Sequence, residues 1–336
     1  MNYRAPPWLP GGHAQTIWPA LYARRRWGQA LPLQRERWLT PDGDFVDVDK
    51  QHASHASRPL VVLFHGLEGS SQSHYAQAFA DWAAQHDVNL ALPHFRGCSG
   101  ELNHAPRAYH SGDHQEVDWL LQRLRHEHQQ CGGQRLVAAG VSLGGNALMR
   151  WAAEHGLQAK LKADAVASVC SPLDLAQSGQ AIGQGFNRQV YTRMFLRTMK
   201  PKALAKLTQH PGLFDRQRLM AARDLYEFDN VFTAPLHGFQ NTDDYWARAS
   251  AKPLMKNIAI PALALNALND PFVPAHSLPQ PSDVSASVTL WQPAQGGHVG
   301  FAQGGWPGHV RGLPDAVGSW LLQAGVQTTN QVTPYG

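Results

Sequence analysis

Short apolar runs alternate with helix-like segments along most of this chain, and this alternation constrains the fold more than any other feature. The run LVVLF at Leu60–Phe64 is typical of a strand buried on both faces of a sheet. Strands that alternate with helices predict a mostly parallel α/β sheet with helices on both faces. We predict eight strands, at Leu33–Thr40, Phe45–Val48, Leu60–Phe64, Val88–Leu92, Leu136–Ala139, Ala165–Val169, Ile258–Leu265 and Ser287–Trp291. Helices are expected at Ser73–His86, Asp113–His126, Asn146–Ala153 and Val310–Leu322.

Two departures from simple alternation define the predicted domain organisation. The first two strands flank PDGD at 41–44, whose Asp-Gly pair predicts a hairpin and hence an antiparallel edge. About eighty residues separate the sixth and seventh strands, which is too long for a simple crossover. Helix-like segments lie in that gap at Arg188–Met199 and Pro201–Leu207. We predict a single domain over 1–336, with an N-terminal arm at 1–30, a helical cap inserted at 176–252 and a frayed tail from Gln327.

Composition excludes several classes of protein. Hydrophobic residues make up 43% of the 336 and charged residues only 16%, which is typical of a globular chain. No apolar stretch is long enough to span a membrane, and the N-terminus lacks a signal-peptide core, so a cytoplasmic protein is expected. The net charge of +4 is spread along the chain, so no nucleic-acid partner is predicted. Three cysteines (Cys98, Cys131, Cys170) without CxxC spacing and histidines without an HExxH pattern predict no disulfide framework and no metal site.

The stretch GVSLG at 140–144 places Ser142 between two glycines where a predicted strand meets a predicted helix. This pattern is typical of a nucleophile elbow, a strained turn that points a serine hydroxyl away from the strand ends. Flanking glycines remove the side chains that would clash in such a turn. The alternative is an ordinary glycine-rich turn between strand and helix.

A serine nucleophile needs a histidine that accepts its proton and an acid that orients the histidine. In a fold of this kind the chain order is serine, acid, histidine. Asp270 follows the seventh predicted strand in NALNDPFV, and His298 follows the eighth in GGHVGF. Asp174, in SPLD after the sixth strand, is a second candidate acid, although its position is typical of helix entry. Taken singly, Asp270 is also consistent with a turn and His298 with a glycine-rich loop.

Acyl transfer also requires hydrogen-bond donors for the oxyanion of the tetrahedral intermediate. The N–H after the nucleophile, that of Leu143, is one candidate. The loop HGLEG at 65–69 follows the third strand, and the Leu67 N–H is the other candidate. An ordinary strand-to-helix turn is the alternative for this loop. His65 and Arg96 lie near strand ends, where each would either line the site or orient its loops.

Several of these segments together resemble one known family. FHGLEG, HFRGCSGE, YHSGD, GVSLGGN, NALNDPFVP, GGHVGF and the opening PPWLPGGHAQTIWP are similar to the YheT-like branch of the α/β-hydrolases. The resemblance covers nearly the whole chain and implies the α/β-hydrolase fold with Ser142, Asp270 and His298 as catalytic residues. It implies hydrolysis of a small-molecule acyl ester, of short to medium chain or lipid type, without a cofactor. Some relatives carry an H-x4-D acyltransferase signature, but His114 and Asp118 here have only three residues between them.

Alternatives to ester hydrolysis remain open from the sequence. The same three residues would serve a thioesterase or an amidase, and the fold also occurs in binding proteins without catalysis. Within the cap, the segment Arg188–Lys202 is basic and amphipathic, which is consistent with weak contact to an anionic membrane surface. The alternative is a cap helix whose apolar residues cover the pocket while its cations face water; those residues are Val190, Tyr191, Met194 and Phe195.

Overall fold

One eight-stranded sheet organises the protein in the computed structural model, which describes residues 3–28 and 32–325. Its order is β1-β2-β4-β3-β5-β6-β7-β8. Pairings of β2 with β1 and β4 are antiparallel, and all other pairings are parallel. The strands are β1 Gln34–Leu39, β2 Phe45–Gln51, β3 Leu60–Phe64, β4 Asn89–Pro93, β5 Leu136–Val141, β6 Ala165–Val169, β7 Ala262–Leu265 and β8 Val288–Trp291. The predicted α/β fold with a mostly parallel sheet and an antiparallel edge is therefore confirmed.

Helices cover both faces of this sheet and fill the long connection between β6 and β7. The arm contains α1, Gly11–Leu21. Helices that alternate with the strands are α2 His74–Gln85, α3 His114–Gln130, α4 Leu143–His155 and α12 Gly312–Gln323. Between β6 and β7 lie α5 Leu175–Ile182, α6 Gly185–Asn187, α7 Arg193–Gln209, α8 Arg216–Ala221, α9 Leu225–Val231, α10 Thr233–Leu236 and α11 Thr242–Ala249. A π-helical turn at Arg188–Thr192 precedes α7, and 3-10 turns lie at Gly156–Leu161, Lys252–Asn257, Ala275–Ser277 and Pro281–Asp283.

The central strands separate two apolar layers. Alternate residues of β3 pack to opposite sides: Val62 and Phe64 join the layer under α3 and α4, whereas Val61 and Leu63 join the layer under α2 and α12. All five β3 residues are buried. Burial of each such side chain contributes about 1.5–3 kcal/mol, so both layers hold the sheet rigidly beneath the strand ends.

Two features differ from the sequence expectations. The seventh strand begins at Ala262 rather than Ile258, because Pro261 lacks an N–H and cannot donate to the sheet. The two helices predicted on either side of Lys200 form one helix, α7, which continues through Pro201. Buried Leu196 and Ala203 hold the two halves of α7 against the protein despite the lost hydrogen bond.

The division into an arm at 1–30 and a cap at 176–252 stays a prediction. The arm contains α1. The sequence does not predict this helix, because the glycines and prolines at 10–12 and 19 are atypical of helices. The cap segment, here residues 175–249 with α5 to α11, joins the carboxyl end of β6 to the last part of the sheet. The frayed tail predicted from Gln327 lies outside the described residues, as do residues 1–2 and 29–31.

Candidate active site

Ser142 occupies a strained turn between β5 and α4. Its φ of 51° and ψ of −119° lie in a region that side chains rarely adopt, and such strain is typical of a nucleophile elbow. The surrounding glycines are sterically required. A Cβ on Gly144 would lie 2.4 Å from the carbonyl oxygen of His65, and one on Gly145 would lie 2.0 Å from the hydroxyl of Ser171. The glycines of GVSLGG thus allow the turn to pack directly on the loops after β3 and β6.

Ser142, His298 and Asp270 form a continuous hydrogen-bonded chain. His298 Nε2 lies 3.0 Å from Ser142 Oγ, and His298 Nδ1 lies 2.8 Å from Asp270 Oδ2. Because the carboxylate can only accept, Nδ1 carries the proton and Nε2 is free to accept from the serine hydroxyl. The Asp270 side chain is fully buried, and its other oxygen accepts from the N–H of Phe272 at 2.8 Å. The structure therefore brings together the three residues predicted from separate strand ends.

Asp174, the second candidate acid, caps a helix. It is the N-cap of α5, and its carboxylate accepts from the N–H of Gln177 at 3.2 Å. A side-chain oxygen at this position satisfies one of the free amides of the first helical turn. This capping bond explains why an aspartate follows β6 here.

The amides of Leu67 and Leu143 both border the cavity that contains Ser142. Neither amide donates a hydrogen bond to another part of the described chain. Gly66 lies so close to the nucleophile that a Cβ there would be 3.2 Å from the Cβ of Ser142. Two free amides beside a serine hydroxyl are what an oxyanion requires.

His65 holds the loop at 65–69 in place through two hydrogen bonds. Its Nε2 accepts from the N–H of Phe95 at 3.0 Å, so the ring proton is on Nδ1, which donates to the carbonyl of Gly66 at 2.8 Å. Burial lowers the pKa of His65 to about 3, which keeps the ring neutral in this orientation. His65 therefore orients the loop that presents the Leu67 amide.

Arg96 borders the cavity but is held in ion pairs. Its guanidinium contacts Asp42, Asp44 and Glu116 at 2.5–2.9 Å, and its side chain is 4% exposed. Three carboxylates around one buried guanidinium satisfy its donors in a fixed geometry. Arg96 therefore ties the β1–β2 hairpin to α3 beneath the site.

Other residues around the site were not identified from the sequence. Glu68, with φ of 56°, follows Leu67 and pairs with Lys202 of the cap segment at 2.9 Å. The Tyr109 hydroxyl donates to the Glu68 carboxylate at 3.0 Å. Cys170 Sγ accepts from the N–H of Val299, in the loop of His298, at 3.3 Å. These contacts join segments far apart in the chain, so no local motif marks them.

The cavity next to Ser142 is about 160 Å³ and is mainly apolar. Residues from the cap segment form much of its wall; among them are Ile182, Phe195, Met199, Phe228, Phe232 and Trp246. Of the four apolar residues expected to cover the pocket, Tyr191 is buried and Phe195 lines the cavity, whereas Val190 and Met194 are 36% and 53% exposed. The contact of this segment with a membrane surface stays a prediction.

Two kinds of feature are absent from the described residues. Within 3–28 and 32–325, no three histidine, cysteine or acidic side chains come together in an arrangement that could hold a metal ion. No helix in the same ranges combines the length and the apolar character needed to cross a membrane.

The elbow, the sheet order and the Ser142–His298–Asp270 chain define a class of protein. A model of the α/β hydrolase fold family matches residues 59–305, and the chain belongs to that family. Among solved structures, the esterase Pf2001 of Pyrococcus furiosus superposes with a TM-score of 0.53 at 12% identity, covering 88% of this chain and 93% of its own. The α/β hydrolase GrgF of Penicillium sp. sh18 has a TM-score of 0.56 at 13% identity, covering 88% and 99%. At such identities these structures show the fold.

Curated relatives place the chain more narrowly. It is 36% identical to YheT of Escherichia coli (strain K12), which carries a provisional esterase name, over 92% of this chain and 89% of that protein. It is also 27% identical to a mouse protein named phospholipase ABHD3, over 95% of this chain and 81% of that protein. The chain is thus a YheT-like α/β-hydrolase, as its motifs predicted.

Proposed function

We propose that this protein is a serine hydrolase that cleaves carboxylic esters through an acyl-enzyme formed on Ser142. One observation carries the proposal, the hydrogen-bonded chain from Ser142 Oγ through His298 to Asp270. A serine hydroxyl becomes nucleophilic when a neutral imidazole accepts its proton, and a buried carboxylate stabilises the imidazolium that results.

The proposed reaction has two half-steps. Ser142 Oγ attacks the ester carbonyl as His298 Nε2 takes its proton, and the amides of Leu67 and Leu143 bind the resulting oxyanion. Collapse of this intermediate breaks the bond to the alkoxy group, which leaves as the alcohol with the proton from His298. Water, deprotonated by His298, then attacks the acyl-enzyme and releases the acid. Asp270 stays ionised and orients His298 throughout.

Two observations favour an ester with an apolar acyl group. The cavity beside Ser142 is walled largely by aromatic and aliphatic side chains, which suit a hydrocarbon chain. The relatives include proteins named phospholipase ABHD3 and, in Saccharomyces cerevisiae, monoacylglycerol lipase. Short- to medium-chain or lipid esters are therefore the proposed substrates.

Turnover of p-nitrophenyl esters of increasing chain length tests the proposal. Wild-type protein should hydrolyse these esters with a preference for the chain length that fills the cavity, and Ser142→Ala should reduce kcat to near background with an unchanged Tm. Matched thioester and anilide substrates distinguish esterase activity from thioesterase or amidase activity with the same residues. Equal turnover by wild type and Ser142→Ala would contradict the proposal, and no turnover of any substrate would favour a binding protein.

A further inference from the structure

Helix α1 of the N-terminal arm buries two polar side chains against the loops that carry Asp270 and His298. Gln15 is 0% exposed and Thr16 is 8% exposed. A buried polar group without a partner costs about 1–3 kcal/mol, so the partners of these two side chains identify what the arm does. Every partner that lies outside the arm is within three residues of Asp270 or His298.

Gln15 links the two loops directly. Its Oε1 accepts from the Asn269 side chain at 2.9 Å and from the N–H of Gly296 at 2.9 Å. Asn269 in turn accepts from the N–H of Gly297 at 3.0 Å. Asn269 precedes Asp270, and Gly296 and Gly297 precede His298, so one side chain of the arm fixes the spacing between the two loops.

Thr16 holds the residue that carries the imidazole. Its hydroxyl donates to the carbonyl of Gly12 at 2.7 Å, which leaves a lone pair that accepts from the N–H of His298 at 2.9 Å. The backbones are also packed too closely for side chains between them. A Cβ on Gly12 would lie 1.9 Å from the carbonyl oxygen of Asn269, and one on Gly300 would lie 1.7 Å from that of Gln15.

We propose that the arm is a positioning element of the active site, in which Gln15 and Thr16 hold Asp270 and His298 at hydrogen-bonding distance. The inference rests on the proposed function, because it concerns the geometry of the same serine, histidine and aspartate. A shift of about 1 Å in such a group can lower a rate about 100-fold. The arm therefore acts on the chemical step through the two loops, without contact to the substrate.

The test uses Thr16→Val, which keeps the shape of threonine but leaves the His298 N–H without its acceptor. We expect Thr16→Val to lower kcat and the rate of fluorophosphonate labelling ~10- to 100-fold, with KM changed less than about two-fold. Thr16→Ser keeps the hydroxyl and should restore most of both rates. Gln15→Met removes the bonds to Asn269 and Gly296 together with a third, from Gln15 Nε2 to the carbonyl of Leu9, and should cost more than Thr16→Val at a Tm that shows it to be folded.

Trp18→Phe is the matched control within α1. It removes a hydrogen bond of 2.7 Å from the indole N–H to the carbonyl of Pro307, a residue that lies beyond His298 in the chain and makes no hydrogen bond with Asp270 or His298. This variant should keep kcat even if its Tm falls. The inference would be overturned if Thr16→Val kept the wild-type kcat. It would also be overturned if Thr16→Val and Trp18→Phe, at equal Tm, lost kcat to the same extent. Failure of the wild-type protein to label at Ser142 would instead overturn the proposed function.

Discussion

The ring of Phe272 stacks on the imidazole of His298, with ring centroids 4.1 Å apart and planes inclined by 29°. The N–H of Phe272 also donates to Asp270 Oδ1. Phe272 thus contacts both His298 and Asp270. Its ring packs on the face of the imidazole, and its backbone N–H holds the carboxylate. In the proposed mechanism, this contact limits rotation of the imidazole between its two proton transfers.

Phe272→Leu should lower kcat/KM because it removes the ring that stacks on His298. Aromatic stacking contributes about 0.5–1.5 kcal/mol, which corresponds to a roughly 2- to 10-fold loss. Phe195→Leu is the control, since Phe195 also lines the cavity and contacts Phe272 edge-on. Steady-state kinetics should show a loss in kcat for Phe272→Leu and a change mainly in KM for Phe195→Leu. Identical kinetic changes in both variants would argue against a role for the stack.

Gly145→Ala should destabilise the elbow strongly. The added methyl would lie 2.0 Å from Ser171 Oγ and 2.6 Å from the carbonyl oxygen of Gly140, so the backbone must shift at a cost of about 1–3 kcal/mol or more. Gly305→Ala is the matched control, because a Cβ there meets no atom within 4 Å. Urea denaturation should show a lower free energy of unfolding for Gly145→Ala alone. Equal stability of the two variants would contradict the packing described for the elbow.

The buried carboxyl of Asp229 should make the stability of the protein depend on pH. Its carboxylate accepts from Thr233 Oγ1 at 2.6 Å and Trp246 Nε1 at 3.0 Å, and burial raises its pKa from 3.8 to about 6. A carboxyl with a raised pKa in the folded state contributes stability at low pH that is lost as pH rises through that value. Asp229→Asn loses one hydrogen bond, so this variant should be less stable than wild type at pH 5. Because asparagine cannot ionise, the difference in stability should shrink as the pH rises to 8.

The measurement is the Tm difference between wild type and Asp229→Asn across pH 5–8. Gln240→Ala, at an exposed position of the same cap segment, replaces no titratable group and should show a Tm difference that does not vary with pH. A constant difference for Asp229→Asn over this range would mean that the buried carboxyl does not titrate there.

Substitution of the two candidate acids, Asp270 and Asp174, should have different effects on kcat. Asp270→Asn should lower kcat about 10³- to 10⁴-fold, because an amide in place of the carboxylate favours the wrong imidazole tautomer. Asp174→Asn should leave kcat and Tm close to wild type, since asparagine is also a good N-cap. Turnover and thermal melts of both variants check this pair. The reverse order of losses would assign the acid to the end of β6.

The sequence predicts the sheet and the three residues at its strand ends because both depend on local patterns. An apolar run predicts β3, and glycines on both sides of Ser142 predict the elbow whatever the rest of the chain does. Gln15 and Asn269 could not be paired in this way, since their contact spans most of the chain and neither residue type implies it. The same applies to Glu68 and Lys202, and α7 continues through Pro201 only because tertiary contacts hold both of its halves.

Mapping of a covalent adduct tests the central claim most directly. Wild-type protein treated with a fluorophosphonate, digested and analysed by mass spectrometry should carry a single adduct on Ser142. Asp174→Asn should label at the wild-type rate, and His298→Ala should label at least ~100-fold more slowly because the serine loses its base. An adduct on another residue, or labelling of Ser142 that does not depend on His298, would contradict the account.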